Sequence, residues 1–237
     1  MINIHLLEVC KGSRFNRGKL FSVLEINHLG FAPNYVDYLD AWEIQRKVHA
    51  EVASGNRQNT LLLLEHSSVY TAGKRTQLED RPTDGTPVID VDRGGMITWH
   101  GPGQLVGYPI TKLSDPIDVV AYVRKLEAIL IELLARFDIA GERVEGRSGV
   151  WVKRGLTHDK VAAIGIRVSE GVTMHGFSLN CDNSLDAYAS IVACGIRDAG
   201  VTTMSALTGT QITIDDVVPV VTELFIKEFE DTHAAAV

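Results

Sequence analysis

GVWVKRGLTHDKVAAIGIRVSEGVTMHGFSLN, residues 149–180, decides the fold class. It holds three segments rich in β-branched residues, Gly149–Lys153, Val161–Val168 and Val172–Asn180, each bounded by Gly, Asn or Asp, and reads as strands in succession. A short buried run, Leu61–Leu64, ends in Glu65 and His66. Amphipathic helices flank these strands. One is expected to start at Asn34 behind Pro33 and run toward Ser54, with Tyr35, Leu39, Trp42, Val48 and Val52 on one face. The next is capped by Ser114 or Asp115, takes Pro116 into its first turn, and spaces Val119, Val123, Leu126, Leu130, Leu133 and Phe137 helically before Gly141. A third follows Thr213 and Asp216, a capping box, with Val217, Val221, Leu224 and Phe225. Helices separated by clustered strands, rather than strict βαβ alternation, predict an α+β layered domain.

No repeat, low-complexity block or Gly/Ser/Pro-rich linker divides the 237 residues. The expected organisation is an irregular arm over residues 1–20 and one domain over 21–237. Hydrophobic residues make up 45% and charged residues 22%, an ordinary globular balance. No uninterrupted apolar stretch reaches the length of a membrane span. Near the N-terminus the apolar patch Ile4–Val9 precedes the basic residues, the wrong order for a secretory signal, so the cytoplasm is the expected compartment. A net charge of −7 argues against nucleic acid as partner. Cys10, Cys181 and Cys194 form no Cys-x-x-Cys, and the eight histidines show no HExxH spacing, so no metal site is expected. A P-loop and a Rossmann fingerprint are both missing, which weakens any nucleotide-driven mechanism.

The most unusual stretch is RGGMITWHGPGQLVGYP, Arg93 to Pro109, in which glycines and prolines surround Trp99, His100 and Gln104. Glycines let backbone approach a ligand, and Arg93 offers a fork of donors; a glycine-rich connection between two strands reads equally well. His100 and His175 each suit a general base, a ligand or a satisfied core histidine. Lys160 opens an apolar segment behind His158 and Asp159, which suggest an exposed loop. A lysine there either loses its proton on desolvation or snorkels to solvent. Cys194 lies in Ile191-Val192-Ala193-Cys194-Gly195-Ile196, where Gly195 permits close approach; on physics alone a buried structural cysteine is the stronger reading.

Taken together, RGGMITWHGPGQ, KVAAIG, HGFSLN and ACGI, with LLLLEHSSVYTAGKR and DGTPV, closely resemble the lipoyl(octanoyl) transferases, the lipoate-protein ligase B family, from about Phe21 to Leu224. The resemblance implies the fold of biotin and lipoate protein ligase catalytic domains, a mixed β-sheet flanked by helices. It puts the catalytic cysteine on Cys194 and its activating lysine on Lys160. It puts acyl-binding segments on Arg93, Gly94, Gly95, Met96, Ile97, Thr98, Trp99 and His100, on Ala163, Ile164 and Gly165, and on Gly176, Phe177 and Ser178. Where the family has proline before the cysteine, this chain has Ala193.

The activity so implied is transfer of an octanoyl group from octanoyl-acyl carrier protein to a lysine of lipoyl domains, those of 2-oxoacid dehydrogenases and the glycine cleavage H protein, through a cysteine thioester and without cofactor. The rival enzyme is an ATP-dependent lipoate or biotin ligase, which needs no cysteine nucleophile. A third alternative is a non-catalytic binder of acyl-carrier or lipoyl domains.

Overall fold

The computed structural model describes residues 24–83, 85–191 and 199–234, with side chains to 229; the expected arm over 1–20, Cys10 and Cys194 lie outside the described residues. Among the described residues, eleven strands and four α-helices follow in the order β1 (Leu24–Gly30), α1 (Tyr38–Ala53), β2 (Asn59–Leu64), β3 (Val69–Ala72), β4 (Val88–Asp90), β5 (Ile97–His100), β6 (Gln104–Ile110), α2 (Val119–Ala135), β7 (Glu142–Val144), β8 (Arg147–Arg154), β9 (Thr157–Ser169), β10 (Val172–Asn180), β11 (Gly200–Val201), α3 (Met204–Thr208) and α4 (Ile214–Ala234).

Eight strands form a mixed sheet ordered β1-β2-β6-β10-β9-β8-β7, with β11 beside β9; β4, β3 and β5 make a second, smaller sheet. The run Leu61–Leu64 is apolar at every position because both sheet faces are covered. Leu61 and Leu63 join the core under α2 and α4, while Leu62 and Leu64 join the core under α1. These helices on a mixed sheet bear out the expected fold class.

The strand β10 coincides with the expected Val172–Asn180, and β8 extends the expected Gly149–Lys153 by a few residues. β9 begins at Thr157, so His158 and Asp159 lie within the strand rather than in an exposed loop, and Asp159 is buried. Its long edge is shared. Residues 162–169 pair with β10, and where β10 ends β11 takes over, Gly200 opposite Asp159 and Val201 opposite Lys160.

Helix α1 starts at Tyr38, not Asn34, because the Asp37 carboxylate accepts from Leu39 N at 2.8 Å and caps it there. Its buried face is Tyr38, Ala41, Gln45, Val48 and Val52, so the expected Tyr35 and Leu39 point to solvent. Gln45 earns its place in that face by a hydrogen bond: its Oε1 accepts from His175 N at 2.8 Å and ties α1 to β10. The cap of α2 is Asp118, which accepts from Ala121 N at 2.9 Å, rather than Ser114 or Asp115. At α4 the Asp216 carboxylate accepts from Thr213 N, one half of the expected capping box, while the Thr213 hydroxyl donates to the same carboxylate. Fully buried Glu127 on α2 reaches the β7–β8 hairpin, accepting from Arg124 at 2.7 Å, Arg143 at 3.0 Å and Gly149 N at 3.1 Å.

Candidate active site

A cavity of about 190 Å³ lies between the β9–β10 floor and the glycine-rich loop that leads into β5. Small residues form the floor: Ala163 pairs with Ser178 and Gly165 with Gly176 across the two strands. Neither glycine has room for a side chain. A Cβ on Gly176 would stand 2.2 Å from Gly107 O, and one on Gly165 would stand 2.9 Å from Gly94 O.

Of the residues expected in the site, Lys160, Ala163, Ile164, Gly165, Gly176, Phe177 and Ser178 line the cavity from the main sheet. Arg93, Gly95, Met96, Thr98 and His100 line it from the opposite side. Gly94, Ile97 and Trp99 stand behind that wall: Gly94 N donates to Ile166 O at 2.9 Å, Ile97 is fully buried, and Trp99 Nε1 donates to Ser68 Oγ at 2.9 Å. Cys194 lies outside the described residues. Sequence reasoning missed Tyr38 and Tyr108, which close one end of the cavity, and Ser148, which lies by its rim. Arg75 and Arg147 also line it. Nothing in a lone buried tyrosine distinguishes a cavity wall from core, so no sequence signal marked the first two.

Arg93 does not spend its fork on open space. Its Nη1 donates to Gly94 O and Met96 O at 3.0 and 2.9 Å, and its Nη2 to Thr71 O and Oγ1 at 2.8 and 2.9 Å. The guanidinium thus supplies the internal scaffold of the glycine-rich loop, satisfying carbonyls that a loop of this composition leaves unpaired.

Lys160 is 7% exposed. Its Nζ stands 4.5 Å from the centroid of Trp151, its cross-strand partner on β8, and no carboxylate pairs with it among the described residues. Both described flanks of residues 192–198 come to this corner. Tyr188, in the turn before them, and Ala199, Gly200 and Val201 after them line a smaller recess together with Lys160, Trp151 and Asn180.

Burial favours the neutral forms of the histidines near the cavity, and of Tyr38 and Cys181. Burial pushes His66 down to about 4; its Nδ1 bonds Val36 O at 2.9 Å and its Nε2 bonds Tyr108 Oη at 2.7 Å. His100 is held well below the ordinary imidazole range by burial, then by His66 and Arg93. Burial also lowers His175, against the pull of Asp92, whose Oδ1 lies 2.8 Å from His175 Nε2. Tyr38 is pushed up to about 12 by burial. Cys181, fully buried, has its thiol pushed up by the same cause, which suits a packing role. Among the described residues no group of three His, Cys, Asp or Glu is placed to hold a metal ion, and no helix is long and apolar enough to cross a membrane.

Residues 37–226 match the lipoyl protein ligase A/B catalytic domain. The chain belongs to that family. Relatives at high identity carry the name octanoyltransferase: one from Leifsonia xyli subsp. xyli is 59% identical over 209 residues, 87% of this chain and 93% of the relative. One from Salinispora arenicola is 62% identical over 189 residues, 78% of this chain and 88% of the relative. This member of the lipoyl protein ligase A/B family is accordingly an acyltransferase. In fold it is similar to lipoate-protein ligase A bound with ATP, TM-score 0.63 at 13% identity over 87% of this chain and 85% of that one. A bi-partite lipoate protein ligase from Thermoplasma acidophilum is alike at TM-score 0.65 and 14% identity, over 87% and 83%.

Proposed function

We propose that the chain transfers an octanoyl group from octanoyl-acyl carrier protein to a lysine of lipoyl domains, those of 2-oxoacid dehydrogenases and the glycine cleavage H protein, in the cytoplasm and without cofactor. Cys194 is the nucleophile and Lys160 its partner. The observation that carries this reading is the buried Lys160 at the end of a small-residue trough, with the described flanks of residues 192–198 lying against it.

In the first half-reaction Lys160 takes the thiol proton and the Cys194 sulfur attacks the thioester carbonyl. The carbonyl bond to the carrier sulfur breaks, and that sulfur leaves with the proton returned by Lys160. In the second, the acceptor amine attacks the acyl-enzyme carbonyl. The bond to Cys194 breaks, and the proton lost by the nitrogen passes through Lys160 to the departing sulfur. Thioester exchange is nearly balanced and amide formation runs downhill, so no nucleotide is required. The cavity lined by Ala163, Gly165, Gly176 and Ser178 takes the chain, where each buried methylene contributes about 0.8 kcal/mol.

Mass spectrometry of the protein mixed with octanoyl-acyl carrier protein, in the absence of ATP and Mg²⁺, tests the reading. An octanoyl adduct on Cys194 that disappears when a lipoyl domain is added is expected. A strict ATP requirement with no adduct would favour the ligase chemistry.

A further inference from the structure

A chain of hydrogen bonds runs from the cavity wall to the strand that follows residues 192–198. His100 Nδ1 lies 2.7 Å from Gln104 Oε1, Gln104 Nε2 lies 2.8 Å from Asn180 Oδ1, and Asn180 Nδ2 lies 3.0 Å from Thr202 O. Gln104 Nε2 also donates to Tyr188 Oη at 2.9 Å. Every member but Tyr188 is buried.

The direction of this chain is fixed at its far end. The Thr202 carbonyl can only accept, so the group facing it is the Asn180 amide nitrogen, and Asn180 Oδ1 faces Gln104. An oxygen there calls for the Gln104 nitrogen, which turns Gln104 Oε1 toward His100. His100 Nδ1 must then carry hydrogen, and Nε2 keeps its lone pair. That Nε2 has no hydrogen-bond partner among the described residues, and His100 lines the cavity.

We propose that Gln104 and Asn180 are positioning residues that hold His100 as the Nδ1–H tautomer, so that its Nε2 lone pair accepts a hydrogen bond from an N–H of the bound substrate. The groups packed around the ring agree with an acceptor role. Tyr38 of α1 is stacked on it, His66 lies beside it, Arg93 adds an unfavourable positive charge, and Tyr108 of β6 completes the wall. Burial and these neighbours all disfavour the imidazolium, which has no acceptor to offer.

Two parts of the substrates in the proposed function carry such an N–H, the amides of the carrier's pantetheine arm and the amine of the acceptor lysine. The kinetic half of the inference rests on that function; the tautomer does not. Long-range ¹H–¹⁵N correlation spectra of the full chain labelled at histidine read the tautomer directly. In the wild type at neutral pH, His100 is expected to be protonated at Nδ1 alone. Asn180→Asp still offers Gln104 an oxygen and keeps that tautomer, whereas Asn180→Leu lets the Gln104 amide turn over and brings in the Nε2–H form. In Asn180→Leu the KM for one substrate is expected to rise about tenfold, the worth of one ordinary hydrogen bond. A rise for the carrier thioester assigns the N–H to the pantetheine arm, and a rise for the lipoyl domain assigns it to the lysine. His100 found as Nε2–H or imidazolium in the wild type overturns the proposal, as does an Asn180→Leu protein with both KM values unmoved. A wild-type protein that transfers no octanoyl at all would instead sink the proposed function and leave the tautomer measurement standing.

Discussion

Thr202 N donates to Lys160 O at 3.0 Å, immediately after Val201 comes into register with Lys160. The backbone of Lys160 is therefore tied to both neighbours at once, to β8 through Trp151 and to β11 through Val201 and the Thr202 that follows it. A long flexible side chain gains a fixed root, and its amine is held over Trp151 at the cavity's edge.

Loss of the Lys160 amine is expected to slow octanoyl transfer by about 10²- to 10⁴-fold, the usual worth of a proton-transfer group. Lys160→Arg is not expected to restore it, since guanidinium does not give up its proton. Single-turnover formation of the acyl-enzyme measures both, and near-normal rates in Lys160→Arg would exclude a proton-shuttling role.

Filling the floor should unsettle the sheet itself. In Gly176→Ala the new methyl collides with backbone, at 2.2 Å from Gly107 O, which cannot swing aside as a flexible side chain could. Overpacking of this kind costs about 1–3 kcal/mol. A drop of roughly 2–12 °C in Tm should follow for a domain of this size, read by differential scanning calorimetry.

Arg93→Lys keeps the charge but cannot reach the Gly94, Met96 and Thr71 carbonyls together. Losing two hydrogen bonds from a charged donor costs about 3–6 kcal/mol before relaxation, so the melting temperature should fall by roughly 6 °C or more. A wild-type melting curve in this variant would show that the loop holds its shape by other means.

Several strands were legible in the sequence because β-branched residues and turn glycines mark them at either end, as in Val172–Asn180. The short strands escaped. β4 has three residues and β11 two, too few for any alternation to show, and β1, Leu24–Gly30, carries His28 where the alternation of Leu24 and Ile26 would want an apolar residue. Much of the site was readable only through resemblance to a family. The relations that build it join distant positions: Gln45 to His175, His66 to Tyr108, Gln104 to Asn180. Each is a polar residue made acceptable in the interior by a distant partner that local sequence does not announce. The face of α1 was misjudged for the same reason, because Gln45 faces inward and Leu39 outward.

Acid should weaken the fold before it touches the carboxylates. His66 has a folded-state pKa of about 4 against 6.5 for a free imidazole, and His100 and His175 are lowered as well. Unfolded chains take up these protons first, so stability is complete above about pH 6.5 and is lost as pH falls toward 4. For His66 alone the loss approaches about 3 kcal/mol across that window. Melting temperature followed from pH 7.5 to 4.5 should decline, and less steeply in His66→Gln, whose amide can still donate to Val36 O. A flat profile in the wild type would contradict the buried neutral histidines.

Glu127 gives the rear layer a say in the front. Its carboxylate grips Gly149 N and Arg143, the two arms of the hairpin whose tip, from Gly146 to Ser148 at the start of β8, forms part of the cavity rim. Helix α2 sits on the far side of the sheet from the cavity, yet through this ionic fastening it governs how the rim is hung. Variation on a helix that never meets a substrate can therefore retune the width of the entrance.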